Sequence, residues 1–131
     1  MTRSQLRACI FELLFESDFT PTEEMDQHVT YYLAQLEASE ENKEYIKDKF
    51  HKIQLEIHNI DTLINERTTG WKTTRMNKVD LAILRLAIYE IQSDTDIPTG
   101  VAINEAVELA KKFSSDEGPA FINGVLSKII E

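Results

Sequence analysis

Four cations and no acid lie within residues 67–79, which makes this segment a candidate for a local basic site. The cations are Arg67, Lys72, Arg75 and Lys78. The net charge of −9 has the opposite sign, but it arises in residues 16–66, where thirteen acids outnumber four bases. This balance argues against a protein that coats nucleic acid through bulk charge. A local basic site and an ordinary solvated loop are both consistent with residues 67–79.

Catalytic and metal-binding patterns do not occur in the sequence. It contains no Walker phosphate loop, dinucleotide fingerprint, CxxC pair or G-x-S-x-G motif. His51 and His58 are seven residues apart, about 10 Å along a helix, so a straight helix does not let them share one small metal ion. The acids lack the central glycine of a calcium loop, and no carboxylate pair stands out for hydrolysis. We therefore expect no enzyme, no metal site and no cofactor.

The composition bounds the class of protein. A chain of 131 residues with 42% apolar content suits one globular domain. The single cysteine, Cys9, lies among apolar neighbours, which indicates a reduced, packed thiol in a cytoplasmic protein. No apolar run approaches the roughly 18–20 residues that span a bilayer. Because Glu12 interrupts the first apolar stretch, we expect no secretory signal either.

Helices are expected almost throughout, because proline and glycine are rare and confined to a few break points. The cleanest amphipathic pattern consists of Ile46, Phe50, Ile53, Ile57, Ile60 and Ile64. It predicts one helix, or two in line with a second start at Asn59 or Asp61. From Val79 to Ile91 the sequence is apolar on nearly every side, which predicts a central, buried helix. Together with amphipathic segments near residues 2–17, from Thr22, and near 103–110 and 121–129, this gives six or seven helices and no strand.

Three stretches carry a more specific pattern. They are Trp71–Arg75 leading into Val79–Glu90, Ile97–Pro98 leading into Ile103–Phe113, and Phe121–Leu126. Their order and spacing closely resemble the NusB family of bacterial transcription antitermination factors. The opening segment, Arg7 to Phe15, resembles that family's first helix. The resemblance is strong from Trp71 onward, and from Thr20 to Asn59 it consists of length and helical character.

The resemblance implies a fold and a function. The fold is all-α, with about seven helices in two small three-helix bundles that share a core. It forms a single domain over residues 1–131, with one bundle at about 1–66 and the other at about 71–131. Members of this family bind NusE, a ribosomal protein of the small subunit, and the boxA segment of single-stranded RNA. The assembly joins the RNA polymerase antitermination complex and supports ribosomal RNA synthesis without catalysis.

The family pattern also implies positions for RNA binding, where cations meet phosphates and flat side chains meet bases. These positions are Arg3, Arg7, Lys111, Lys112, Phe121 and Asn123. Each has a plain structural alternative. If these residues do not bind RNA, Arg3 is simply solvated and Asn123 closes a helical turn. Phe121 is then a core residue, because it is in step with Val125 and Ile129 along the helix.

Two further positions match residues that the family uses against NusE. Phe15 matches an aromatic residue of the first helix, and Glu90 matches an acid of the central helix. The alternative for Phe15 is packing in the core. The alternative for Glu90 is an internal ion pair, for example with Arg85 or Arg75, because buried acids are rare without a partner.

This chain departs from the family pattern at two cationic positions. It has two arginines spaced four apart, Arg3 and Arg7, where relatives often have several in a row, and Ala120 where relatives often have lysine before the aromatic residue. Both changes lower the supply of cations for RNA. The alternative function is therefore a helical protein–protein adaptor with little RNA affinity of its own. Self-association, which covers the RNA surface in some relatives, is left open by the sequence.

Overall fold

The computed structural model describes all 131 residues and consists of helices joined by short connections. The six α-helices are α1 (Arg3–Ser17), α2 (Thr22–Gln35), α3 (Glu40–Arg67), α4 (Lys78–Ser93), α5 (Thr99–Phe113) and α6 (Gly118–Ile129). One 3-10 turn, Thr73–Arg75, precedes α4, and there is no strand. The all-α prediction is confirmed, and the count reaches seven only if the 3-10 turn is included. No helix combines the length and the apolar character that crossing a membrane requires.

Side-chain caps set the starts of three helices. Thr2 and Gln5 form a reciprocal capping box at α1, and the side chain of Ser39 accepts a hydrogen bond from the backbone N–H of Asn42 at α3. Asn77 does the same for the N–H of Asp80 at α4, at 2.8 Å. These caps satisfy backbone donors that the first helical turn leaves without partners. The start of α4 is therefore fixed at Lys78, near the end of the basic segment 67–79.

Helix α3 runs unbroken for 28 residues, so the predicted second start at Asn59 or Asp61 is wrong. The stretch contains no proline or glycine to end it. Its apolar stripe faces the core along the whole length, from Ile46 to Ile64. An unbroken helix with continuous packing needs no cap in its interior. Asn59 and Asp61 therefore lie within α3 and do not start a second helix.

Helix α4 is the centre of the molecule, as its sequence predicts. Every residue from Asp80 to Ile88 is buried, and the helix packs against α1, α3, α5 and α6. One continuous apolar cluster of 28 residues draws on all six helices. The division into bundles at about 1–66 and 71–131 stays a prediction, since α1 packs against α4 as extensively as against α3. The buried polar residues of α4, Asp80, Arg85 and Glu90, need partners within the fold, because little water reaches them.

Candidate nucleic-acid and partner interface

Glu90 on α4 is buried in an internal ion network, with 1% of its surface exposed. Arg7 on α1 donates from Nε to both carboxylate oxygens at 3.1 Å. Lys49 on α3 donates from Nζ to Oε2 at 2.6 Å. The internal ion pair considered from the sequence therefore exists, but its predicted partners, Arg85 and Arg75, are wrong. The network joins three helices, and its atoms face one another rather than the surface.

Lys49 stays charged within this network. Burial alone lowers its pKa, but the Glu90 carboxylate and the Tyr45 hydroxyl more than offset that effect, so the pKa lies above its ordinary value of 10.5. Asp94, at the end of α4, adds a second carboxylate 3.5 Å from Nζ. The site is an ion cluster with matched charges. Its contribution is to hold α1 and α3 against α4.

Arg85 is engaged elsewhere, which is why it does not reach Glu90. It donates to Asp61 on α3 through Nε at 3.0 Å and Nη2 at 2.7 Å, and to Asp18 at the end of α1 through Nη1 at 2.9 Å. This bidentate geometry is the strong form of the arginine–carboxylate pair. Two separate ion clusters therefore fasten α1 to the central helix, one near each end of α1.

Arg3 and Arg7 do not form a joint cationic surface. Arg3 is exposed and makes no ion pair. Arg7 is 5% exposed, and besides Glu90 it approaches Glu105 on α5 at 3.8 Å. A buried guanidinium that is already paired with two carboxylates is not available to a phosphate at the surface. The expectation that Arg7 lines an RNA path is therefore corrected, because Arg7 lies where α1 packs against Glu90 of α4 and Glu105 of α5. Arg3, one turn earlier and exposed, stays a prediction.

Lys111 and Lys112 lie at the end of α5, beside an open depression of about 740 Å³ between that helix and the start of α1. Lys111 pairs with Glu108 at 3.2 Å, and both side chains are exposed. Lys112 makes no ion pair and lies 5.2 Å above the ring of Phe113. Of the two, Lys112 retains an uncommitted charge. The depression is also lined by Glu105 and Glu108, so the side chains around it carry both positive and negative charges.

Phe121 and Asn123 are on α6 but line different depressions. Phe121 is half-buried against the core and contacts the ring of Trp71, with centroids 5.0 Å apart and planes at 65°. Asn123 is exposed in a separate depression of about 550 Å³ that the α5 residues Ile103 and Val107 also line. The structure therefore brings Phe121 together with Trp71 rather than with Asn123 or the lysines of α5.

Trp71 is a candidate site residue that the family pattern did not single out. It is 54% exposed, although it is the largest apolar side chain in the protein. The loop that carries it is well fixed. Gly70 adopts a left-handed φ of 82°, which favours glycine, and the Thr68 hydroxyl donates to the Trp71 carbonyl at 3.0 Å. The backbone N–H of Thr73 donates to Asn65 at 2.9 Å. The sequence signal was a lone tryptophan inside an acid-free basic segment.

Phe15 lies in a row of aromatic rings along α1. Its ring centroid is 6.4 Å from Phe11 and 5.1 Å from Phe19. Phe15 is half-buried and packs against the core, whereas Phe19 is 64% exposed. With Val79 and Phe113 these two rings line a depression of about 350 Å³. We call this surface, formed by Phe15, Phe19, Val79 and Phe113, the aromatic surface of α1.

Comparison with known proteins decides the family. The NusB family model matches residues 3–131. This chain belongs to the NusB family. A transcription antitermination protein NusB from Agathobacter rectalis is 49% identical over 129 residues, covering 98% of each chain.

Solved NusB structures share the fold. A crystal structure of NusB from T. maritima superposes with a TM-score of 0.88 at 31% identity, covering 98% of this chain and 90% of that one. A crystal structure of the antitermination factors NusB and NusE in complex with double-stranded RNA has a TM-score of 0.77 at 25% identity. It covers 98% of this chain and 97% of that one. The NusB fold is therefore present over nearly the whole chain.

Proposed function

We propose that this protein is a transcription antitermination factor that binds boxA RNA together with NusE, and that it acts by binding alone, without catalysis, in the cytoplasm. The observation that carries the proposal is its membership of the NusB family from residue 3 to residue 131. The assembly with RNA polymerase and the support of ribosomal RNA synthesis follow from the same membership.

The RNA-facing residues are those with an uncommitted charge or an open ring. Arg3 and Lys112 make no ion pair and are exposed, so their charges are available to phosphates. Phe121 offers part of its ring beside Trp71. Lys111 contributes once its exposed pair with Glu108 opens, which costs little in water. Asn123 supplies hydrogen bonds from the neighbouring face of α6.

The partner surface for NusE is the aromatic surface of α1. An exposed ring such as Phe19 next to half-buried Phe15 gives the apolar centre that protein interfaces favour. Glu90 serves this surface as a positioning residue, because it holds Arg7 and thereby fixes α1 against α4. It does so from inside the fold, rather than by contact with the partner.

A pair of binding titrations tests the function. Purified protein is titrated with NusE by calorimetry, and a labelled single-stranded boxA RNA is titrated with the protein alone and with the NusE complex. We expect a NusE complex without RNA, and RNA affinity that rises when NusE is present and falls for a scrambled sequence. Failure to bind NusE, together with equal affinity for boxA and scrambled RNA, would overturn the proposal.

The same titrations decide the alternative of a protein–protein adaptor. The net charge of −9 and the burial of Arg7 favour that alternative, because both lower the attraction for phosphate. An adaptor binds NusE as tightly as a boxA-binding factor does, but leaves boxA RNA unbound at physiological salt. Retained boxA affinity in the NusE complex excludes it.

A further inference from the structure

We propose that Trp71 is a base-stacking residue for single-stranded RNA, and that the strand crosses the Trp71–Phe121 pair with its phosphates on Lys72 and Arg75. This inference rests on the proposed function and adds a second RNA-binding region to the one at the start of α1. It assigns a role to the basic segment 67–79, which the family-derived positions leave unused.

The first observation is the open surface around the tryptophan ring. Phe121 meets Trp71 edge-on at 5.0 Å, so the contact fixes the ring while more than half of the residue stays exposed. A depression of about 460 Å³ lies on one side of the pair, and another of about 520 Å³ lies on the other. Both depressions are lined by Trp71 and Phe121. We call the two depressions, with the aromatic pair that both share, the groove.

The second observation is that the ring is held in place before any ligand binds. The Thr68 hydroxyl bridges the Ile64 carbonyl at 2.7 Å and the Trp71 carbonyl at 3.0 Å, and Thr68 is buried. The Thr73 N–H is bound to Asn65 at 2.9 Å. A ring on a fixed loop loses little conformational freedom when a base stacks on it, which favours binding.

The third observation is the charge around the groove. Lys72 and Arg75 line the first depression, are exposed and make no ion pair. The Asp80 carboxylate beside them is already occupied, because it accepts hydrogen bonds from Ser114 at 2.6 Å and Asn77 at 2.9 Å. Glu117 is the exposed acid at this depression. A polyanion is therefore expected to pass on the side of Lys72 and Arg75.

These features fit single-stranded RNA better than other polyanions. A flat, sequence-tolerant stacking surface beside phosphate-binding cations is the usual arrangement for single strands. Bases in a duplex are paired and stacked on each other, so they do not offer a face to the indole ring. An acidic protein segment would satisfy the cations but leave the exposed ring without a flat partner.

The experiment uses Trp71 as its own probe, because it is the only tryptophan in the chain. Single-stranded boxA RNA carrying an end label is titrated into the full-length protein, alone and with NusE. Tryptophan emission and label anisotropy are recorded together, and the Trp71→Phe protein supplies the background. We expect quenching of the Trp71 emission that follows the same binding curve as the anisotropy.

Variants separate stacking from folding. Trp71→Ala is expected to weaken RNA binding roughly 5- to 150-fold, the loss that one stacked base gives, while Trp71→Phe retains most of the affinity. Tyr31→Ala is the matched control, since Tyr31 is an aromatic residue on α2 that is 70% exposed. It should leave RNA binding unchanged. Circular dichroism melts of each variant check that the fold is intact.

The possible results distinguish this inference from the proposed function. If RNA binds by anisotropy while the Trp71 emission and the Trp71→Ala affinity stay unchanged, the inference is overturned and the proposed function stands. If no RNA binds even with NusE, both fail. If NusE alone changes the emission and RNA does not, the groove is a protein surface and the inference is wrong.

Discussion

Arg7 on α1 and Glu90 on α4, 83 residues apart in the chain, form a buried ion pair in which Arg7 Nε donates to both carboxylate oxygens at 3.1 Å. The family pattern assigns these residues to two different partners, RNA and NusE. The structure shows that they bind each other inside the fold. Lys49 completes the cluster at 2.6 Å. A substitution at either position, even one meant to test a binding surface, therefore acts first on the packing of α1.

Replacing Glu90 tests whether the buried ion cluster stabilises the fold. Glu90→Gln leaves the buried charges of Arg7 and Lys49 without their shared carboxylate, so we expect the free energy of unfolding to fall by about 3–5 kcal/mol. Urea denaturation measures it. Glu108→Gln is the control, because its pair with Lys111 is exposed on both sides and is worth no more than about 1 kcal/mol. Equal stability of Glu90→Gln and the unaltered protein would contradict a structural role.

The aromatic surface of α1 gives a prediction for NusE. Phe19→Ala removes an exposed ring, so we expect NusE affinity to fall by about 1 kcal/mol or more while the melting temperature barely changes. Calorimetric titration with NusE measures the affinity. Tyr31→Ala, equally aromatic and exposed on α2, should bind NusE normally. Identical NusE affinities for the two variants would show that the partner surface lies elsewhere.

Two glycines of α6 are expected to respond to alanine in opposite directions. At Gly118 an added Cβ would lie 2.1 Å from Ser114 Oγ, which donates to Asp80 at 2.6 Å. To avoid this clash, Ser114 must move and lose its hydrogen bond to Asp80. Gly118→Ala should therefore destabilise the protein by about 1–3 kcal/mol. Gly124 has open space and helical backbone, so Gly124→Ala should stabilise it by about 0.5–1 kcal/mol. Thermal melts of both variants compare the two, and a stable Gly118→Ala would contradict this packing.

The fold was largely predictable because its signals are local. The apolar run from Val79 to Ile91 and the seam from Ile46 to Ile64 determine which helix is central and which face of the long helix is buried. The site was less predictable because its geometry depends on contacts between distant segments. Nothing near Arg7 in the sequence indicates that Glu90 binds it, and the edge contact of Trp71 with Phe121 joins residues fifty apart.

The thiol of Cys9 predicts how stability depends on alkaline pH. Burial raises its pKa above the ordinary 9.0, and the charge of Glu12 adds to this, while a hydrogen bond with Tyr32 acts in the opposite direction. A raised pKa in the folded state means that the stabilisation is complete below about pH 9 and is lost as the pH rises through the folded value. Urea titrations between pH 7 and pH 11 should show this loss, and Cys9→Ala should show less of it. A Cys9→Ala protein with the same alkaline slope would contradict the assignment.

The salt dependence of boxA RNA binding by the NusE complex tests whether RNA crosses Trp71 and Phe121. Lys72→Gln/Arg75→Gln removes two cations at the groove, and Lys47→Gln/Lys52→Gln removes two exposed, unpaired cations of α3 as a matched change in net charge. We expect the plot of log affinity against log salt to flatten by about 1–2 units for the groove variant, as two lost phosphate contacts require, and to keep its slope for the α3 variant. An unchanged slope for the groove variant, or the same flattening for both, would contradict an RNA path across Trp71 and Phe121.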